Sequence, residues 1–402
     1  MKPRVLIVNK FFYNRGGDCM VAINEESMLR RHGYPTAVFT MDYPENKLPA
    51  IPHALATRRE FNGSAQAKVK AAARTLGFGD ISRSFRKILN DFRPDIVHFH
   101  NIHSYLSPRI VELAKEYGAR TLWTMHDYKL LCPSYSFLRD GKICELCMSD
   151  RKSVLRERCH KHSLPASLVA YLEARKWNIG RLRQSTDRFI APSRFMAAKL
   201  AEGGIESDKT AVICNCIDKA KSDIFISHAP DKPRSGAVYA GRLSEEKGVR
   251  LIVEAFEHLP IPLDIYGTGP LEEDLRRLAS GNSNIRFHGR VEAAAIAEAL
   301  GKASFSVIPS EWYENNPLGV IESLCAGTPV VGAGIGGIPE LIEPENGIIF
   351  PFGDAAALGK AVAEALERKW DNAGIAAKAL GQFSEDTHFR KLSALMQEIM
   401  QE

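Results

Sequence analysis

Residues 305–331 read FSVIPSEWYENNPLGVIESLCAGTPVV. Phe305–Ile308 is a short apolar run of the kind that forms a strand covered on both faces, and Thr328–Val331 reads as the next strand. Between them, Pro317 suits the first turn of a helix, where its missing N–H leaves no bond unmade and its fixed φ is already helical. A strand, a loop, a helix and a further strand in one short stretch predict a parallel α/β sheet. The stretch also carries chemistry. Glu314 falls in the loop before the helix and Glu322 more than one turn inside it. Two carboxylates accept hydrogen bonds from vicinal hydroxyls, as on a ribose or hexose. A helix N-terminus adds free N–H groups and a positive dipole end that suit an anion. The bare spacing of two glutamates is also what two solvated surface groups would show, so the flanking sequence has to decide.

The alternation extends in both directions. Val5–Val8, Thr36–Thr40, Asp95–Phe99, Thr121–Thr124 and Arg188–Ile190 read as strands, and Asp18–Arg31 as a helix that stops at Gly33. Ala237–Ala240, Leu263–Tyr266 and Ile285–His288 restart the pattern, with a helix over Gly248–His258. Cys216–Ser235 carries Pro230 and Pro233 and no clear period, and reads as linker. A chain of 402 residues is too long for one ordinary core. Two doubly wound domains are expected, over residues 1–205 and 206–383, followed by an amphipathic helix over 384–402. No apolar run reaches the ~18–20 residues of a membrane-spanning helix. Val5–Val8 is too short for the apolar core of a signal peptide. A cytoplasmic location is therefore expected.

Ligands of such sheets bind beyond the carboxyl ends of strands, which directs attention to four loops. Gly241-Arg-Leu-Ser-Glu-Glu-Lys-Gly248 follows a strand, and its Arg242 and Lys247 form a clamp that neutralises a diphosphate without a metal. Arg15-Gly16-Gly17 follows the first strand, and its glycines let a ligand approach the backbone, although a plain turn has the same composition. Thr124-Met-His126-Asp127-Tyr128 ends a strand and sends His126 toward the ligand side. His98 and His100 end another strand on one face, with Phe99 opposite; strand-end packing explains them equally well. Separately, Cys132, Cys144, Cys147 and Cys159 stand with eleven, two and eleven residues between them. That spacing suits a structural zinc, or four reduced thiols in a loop region.

The stretch from Pro309-Ser310 through Glu314 and Glu322 to Gly327-Thr-Pro-Val-Val331 resembles the signature of retaining glycosyltransferase family 4. The resemblance implies the GT-B fold, two Rossmann-like doubly wound domains facing across a cleft. It also implies a donor-binding C-terminal domain and an acceptor-binding N-terminal domain onto which the 384–402 helix packs back. By the same resemblance Glu322 binds the donor ribose, Glu314 contacts the transferred sugar, and Arg242 with Lys247 holds the donor phosphates. His126 lies beside that sugar, and Gly16 and Gly17 border the site. Gly267-Thr-Gly269-Pro270 resembles the family's turn beside the nucleotide, and Asn215-Cys-Ile-Asp218 its domain junction. Asn316, Pro317 and Leu318 take the donor-contacting place after the first glutamate, where the family often has Gly-Phe-Gly and this chain has Asn315-Asn-Pro-Leu-Gly319.

The implied activity is transfer of a sugar from a UDP- or GDP-type nucleotide sugar to a saccharide or polyprenyl-linked acceptor, with retention of configuration. No Asp-x-Asp motif is present, so no catalytic metal is expected; a structural zinc remains open. A nucleotide-sugar epimerase, a sugar phosphorylase or a non-catalytic nucleotide-sugar-binding subunit would share these motifs. Residues 1–200 hold 34 Lys and Arg against 18 Asp and Glu, a charge of +16, whereas residues 201–402 carry −11. No nucleic-acid recognition module is visible, so nucleic acid is not an expected partner. The excess falls in four groups, around Arg58-Arg59, Arg86-Lys87, Arg151-Lys152 and Arg181, interspersed with Phe85, Ile88, Leu89, Leu168 and Trp177. Such a face suits peripheral contact with an anionic membrane, at its inner side.

Overall fold

Val5–Val8 is apolar at every position and buried at every position, which makes β1 a central strand. The computed structural model in which it lies describes residues 2–48, 50–227, 233–257 and 259–402. The strands of the first half are β1 (Val5–Val8), β2 (Thr36–Met41), β3 (His53–Ala56), β4 (Ile96–Phe99), β5 (Arg120–Thr124), β6 (Leu138–Arg139), β7 (Lys142–Ile143), β8 (Arg188–Ala191) and β9 (Thr210–Val212). Seven of them form one sheet in the order β3-β2-β1-β4-β5-β8-β9, every neighbouring pair parallel; β6 and β7 pair only with each other. The second half supplies β10 (Ala237–Ala240), β11 (Leu263–Tyr266), β12 (Ile285–Gly289), β13 (Phe305–Ile308), β14 (Val330–Ala333) and β15 (Gly347–Phe350), in the parallel order β12-β11-β10-β13-β14-β15.

The strands missing from the sequence reading are the two-residue pair β6 and β7, and β3, β9 and β15, which lie at the edges of the two large sheets. β3 and β9 are half exposed, and His53-Ala-Leu-Ala56 and Thr210-Ala-Val212 lack the continuous apolar run that marks a buried parallel strand; β15, Gly347-Ile-Ile-Phe350, carries such a run and was overlooked. The chain divides into two compact units. One holds Met1–Arg139, Cys144–Ile213 and Phe389–Glu402; the other holds Asp140–Ile143 and Cys214–His388. The first unit thus runs to Ile213, because β9 pairs with β8 in its sheet. Each unit has its own apolar core. Leu392, Leu395, Met396 and Ile399 of the final helix, Glu385–Gln401, pack in the first core with Val5, Ile7 and Ile96.

Part of the expected linker is a helix, Lys219–Ser227, whose Phe225 is buried in the second core. Asp218 begins it by accepting a 2.8 Å bond from Lys221 N. One buried aromatic and a capping aspartate suffice to fix so short a helix, and neither creates a visible period. Pro230, and the expected helix end at His258, lie outside the described residues. In each sheet the order in which strands are added reverses at one pair of parallel neighbours, β1/β4 in the first and β10/β13 in the second. The loops after those strands are where a doubly wound sheet receives its ligand.

Candidate active site

In the second unit, β10 runs out into Gly241-Arg242 and β13 into Pro309-Ser310, so the two motif loops leave adjacent strands. Their closeness depends on Gly248, which holds φ +64° and on which a Cβ would fall 2.0 Å from Pro309 O. Gly269 draws a third loop in, for a Cβ there would fall 2.2 Å from Leu243 O. Leu243 and Leu271 close that contact through backbone bonds of 3.1 and 3.0 Å.

Glu314 sits where these loops converge. Its Oε1 accepts bonds from Lys247 Nζ at 2.6 Å and Ser310 Oγ at 2.7 Å, while its backbone carbonyl accepts from Gly337 N at 2.6 Å. The side chain is buried. Burial alone would raise its pKa, but the Lys247 charge and the hydrogen bonds hold the carboxyl below its ordinary range. Lys247 also lies over the Trp312 ring, 5.1 Å from its centre. Arg242, in the same loop, is exposed.

The helix after Glu314 spans Leu318–Cys325, with Pro317 as its extended N-cap. Glu322 is therefore in its second turn, and its carboxylate is bonded to Lys221 from the unexpected helix Lys219–Ser227. Lys221 and Glu322 border a pocket otherwise lined by Ile224, Phe225, Ala293, Ile296 and Ala297. Asn316 is buried; its Oδ1 accepts from Asn215 N at 2.8 Å, and its Nδ2 has no partner among the described residues. The structure thus brings Lys247 and Glu314 into contact and sets Arg242, Gly269, Asn316, Pro317 and Leu318 on the loops and helix start around them. Glu322 stands further along the helix. Two carboxylates, each already bonded to a lysine, with an exposed guanidinium and a helix N-terminus, can hold a polyhydroxyl group attached to a phosphate.

In the first unit the polar groups come from β1, β4, β5 and the helix Gly17–Arg31. Gly16 caps that helix in extended backbone and Gly17 is its first residue. His126 follows β5. Its Nε2 lies 3.0 Å from His100 Nδ1, and the two rings are stacked. His100 Nε2 is 3.5 Å from Glu25 Oε1, and the same oxygen is 2.5 Å from His98 Nδ1. His98 Nε2 lies 2.8 Å from Thr124 Oγ1. Beside this chain of imidazoles, Asn101 Nδ2 donates to Asp18 at 3.0 Å and to Asp127 at 3.3 Å. Burial, and then the neighbouring His100, push the His126 pKa down to about 3, so its ring is neutral. Burial works against the charge on Asp18, but the Lys10 charge and the hydrogen bond from Asn101 hold its carboxyl below its ordinary value.

Sequence reasoning missed Glu25, Asp18, Asn101 and Lys221. Glu25 and Glu26 had a signal: both are buried on the side of their helix that carries Ala22, Met28 and Leu29. Carboxylates at core-facing helical positions need partners.

The Cys132 and Cys147 thiols are hydrogen-bonded to each other, and Cys144 and Cys159 lie near them, but the four sulfurs do not converge within 4.8 Å. Among the described residues the ligand atoms of Glu25, His98 and His100 do so, through the contacts just given. The basic groups are less open than their sequence suggests. Arg74 is buried against Asp80, and Arg86 and Arg181 pair with Glu116 and Glu112. Phe85, Ile88, Leu89 and Trp177, expected between them on the surface, are in the core, because their spacing is that of an inward helix face or a buried turn. Leu168 is exposed as expected, and Val69, Phe78 and Leu164 are further exposed apolar side chains of this unit. No helix among the described residues is long and apolar enough to cross a membrane.

Residues 20–221 match the family model described as Glycosyltransferase Family 4, and residues 234–368 that of Glycosyl transferases group 1. The chain is 28% identical over 208 residues to a sulfoquinovosyl transferase of Arabidopsis thaliana, covering 48% of this chain and 40% of that one. It is 26% identical over 256 residues to the amylovoran biosynthesis glycosyltransferase AmsK of Erwinia amylovora, covering 59% and 63%. The matched part is therefore less than two thirds of the length of either relative. A sucrose-phosphate synthase structure from Thermosynechococcus elongatus superposes with a TM-score of 0.71 at 18% identity over 99% of both chains, a likeness of fold.

Proposed function

The chain belongs to glycosyltransferase family 4, and from that premise we propose that it transfers a sugar from a nucleotide-diphosphate donor to a saccharide or polyprenyl-linked acceptor of surface-polysaccharide type, with retention of configuration. The observation that carries the reading is the convergence of Lys247, Ser310 and Glu314 from the ends of adjacent strands, next to the helix that bears Glu322.

In this reading the donor lies on the second unit. Glu322 accepts bonds from the ribose hydroxyls and Glu314 from a hydroxyl of the transferred sugar. Arg242 and Lys247 stabilise the diphosphate as it gains charge on leaving, an electrostatic contribution that acts where the barrier is. The leaving phosphate takes the acceptor's proton on the same face. His126, neutral and backed by His100, offers a polar uncharged edge to the sugar. The acceptor belongs to the first unit. A lipid-linked acceptor is supported by Lys68, Lys70 and Lys176 beside the exposed Val69 and Phe78, with Lys176 4.2 Å from the Phe78 ring centre. That patch would give peripheral attachment to an anionic membrane.

The test is a panel of UDP-, GDP- and ADP-sugars, read by thermal shift and then by release of nucleoside diphosphate in the presence of lipid extracts. One donor class should stabilise the protein and turn over only with acceptor. Epimerised or phosphorolysed donor, or binding with no turnover on any extract, would overturn the transferase reading. Attachment to vesicles that does not depend on anionic lipid would overturn the membrane part of it.

A further inference from the structure

The segment from Met125 to Ser163 has little regular structure. It contains β6, β7 and two four-residue helices, Leu146–Ser149 and Ser153–Arg156. Yet it is wound tightly: Tyr135, Phe137, Asp140, Arg158, Lys161 and His162 have positive φ, six of the nine such non-glycine residues among those described. Non-glycine residues at positive φ are strained, and a long irregular segment loses much conformational entropy when fixed to one course. Something must cross-link it to offset that cost.

We propose that Cys132, Cys144, Cys147 and Cys159 form a structural zinc site that ties this segment together, each sulfur binding as a thiolate around one Zn²⁺. The backbone presents the ligands as a zinc knuckle requires. The β6–β7 hairpin turns at Asp140-Gly141, both at positive φ, and delivers Cys144 at its end, where Cys144 N donates to Phe137 O at 2.7 Å. Cys147 follows in the short helix Leu146–Ser149. Cys132 enters from a turn in which its N–H donates to Tyr128 O at 2.7 Å, and Cys159 from the turn after the second short helix. Four chain positions spread over 28 residues of sequence are thereby gathered in one place.

The Cys132 and Cys147 thiols already touch, and Cys144 and Cys159 lie close enough to act electrostatically on Cys147. The metal needs these two outer side chains to turn inward. Four thiolates around a divalent ion leave a net negative charge, and the surroundings suit it. Arg151 lies beside Cys132 and Cys147, its guanidinium bonded to the carbonyls of Leu130 at 2.9 Å and Ala174 at 3.4 Å. Arg139 lies near Cys159. Binding releases the thiol protons to solvent and adds its free energy to folding. Nothing in this site depends on the transferase reading.

The experiment uses the whole chain, purified without chelator from cells supplied with zinc. Elemental analysis should give about one zinc per chain. A strong chelator should remove it and lower the melting temperature, and readded zinc should restore it. Cobalt in its place should show the visible absorption of a tetrahedral thiolate complex. Cys144→Ser and Cys147→Ser should lose the metal, while Cys216→Ser keeps it. Should the first two variants not fold, zinc content and the cobalt spectrum of the unaltered chain still decide. A folded, cooperatively melting preparation without zinc overturns the site. So does a Cys132–Cys147 disulfide in its place, or bound cobalt with a spectrum of nitrogen and oxygen ligands, which would point to Glu25, His98 and His100.

Discussion

In the second unit the charged groups come from two loops and two helices, and each carboxylate there already holds a lysine, Glu314 with Lys247 and Glu322 with Lys221. In the first unit they come from four elements and form a web of imidazoles around the buried Glu25, with His126 neutral and one carboxylate, Asp18, held charged nearby. The first arrangement is built to exchange partners: an arriving anion can take a lysine, and arriving hydroxyls a carboxylate. The second is built to stay fixed, since moving one ring would leave another buried nitrogen unbonded. Under the proposed transferase function, charge handling falls to the second unit and positioning to the first, and the difference can be tested.

The largest effect is expected at Lys247. Lys247→Met removes a phosphate partner and leaves Glu314 buried without its cation, so kcat/KM should fall by about 10²–10³. Stability should fall by about 3 kcal/mol, as when a buried pair loses one member. Arg242→Ala should weaken donor binding by roughly 10–100-fold, the worth of a charged hydrogen bond, with unchanged stability because that side chain is exposed. Steady-state kinetics, calorimetry and chemical denaturation of the two variants separate these outcomes. Equal stability losses would erase the contrast between a paired and an unpaired cation.

His126→Ala should lower kcat by about 10², through loss of one polar contact at the reacting centre, and leave donor affinity near its original value. Glu25→Gln, two rings away, should reproduce part of that fall by altering which nitrogens carry protons, and should shift the pH profile of kcat. A change confined to KM would mean that the first unit handles the donor as the second does.

Acid should expose the web. His126 titrates near 3 in the folded chain and near 6.5 when unfolded. The unfolded chain therefore binds more protons between those values, and stability should fall as pH drops from about 6.5 toward 3. Glu173, whose burial is outweighed by Lys129 and His103 so that its pKa is about 2, extends the loss to lower pH. Urea melts across that range should show a shallower decline in His126→Gln.

The smallest effect is expected at Lys221. Lys221→Met frees Glu322 for ribose hydroxyls and should tighten donor binding only a few-fold, about the worth of a partly exposed ion pair. Titration calorimetry with the donor identified by the panel would read it. Weaker binding would mean that Lys221 itself holds the donor.

The loops of the second unit were legible because their ligand groups are close in sequence. Arg242 and Lys247 share one loop, Glu314 and Glu322 flank one helix start, and Gly248 and Gly269 mark close backbone approaches. The first unit was legible only at His126 and, without their partners, at His98 and His100. Glu25, Asp18 and Asn101 each read as an ordinary helix, turn or strand-end residue until the fold placed them together.

By itself the sequence determined the alternation of strands and helices, the two doubly wound units, and the identity of the motif loops, since apolar runs and glycine–proline punctuation are local properties of the chain. The edge strands β3 and β9 escaped because half-exposed strands carry no such run. Tertiary structure decided the rest. It put Lys221 on Glu322, turned Phe85 and Leu89 inward, buried Arg74 on Asp80, and stacked His100 between Glu25 and His126. The reason is geometric: a parallel sheet aligns the ends of strands far apart in the chain, and that alignment, set by strand order, fixes which polar side chains meet.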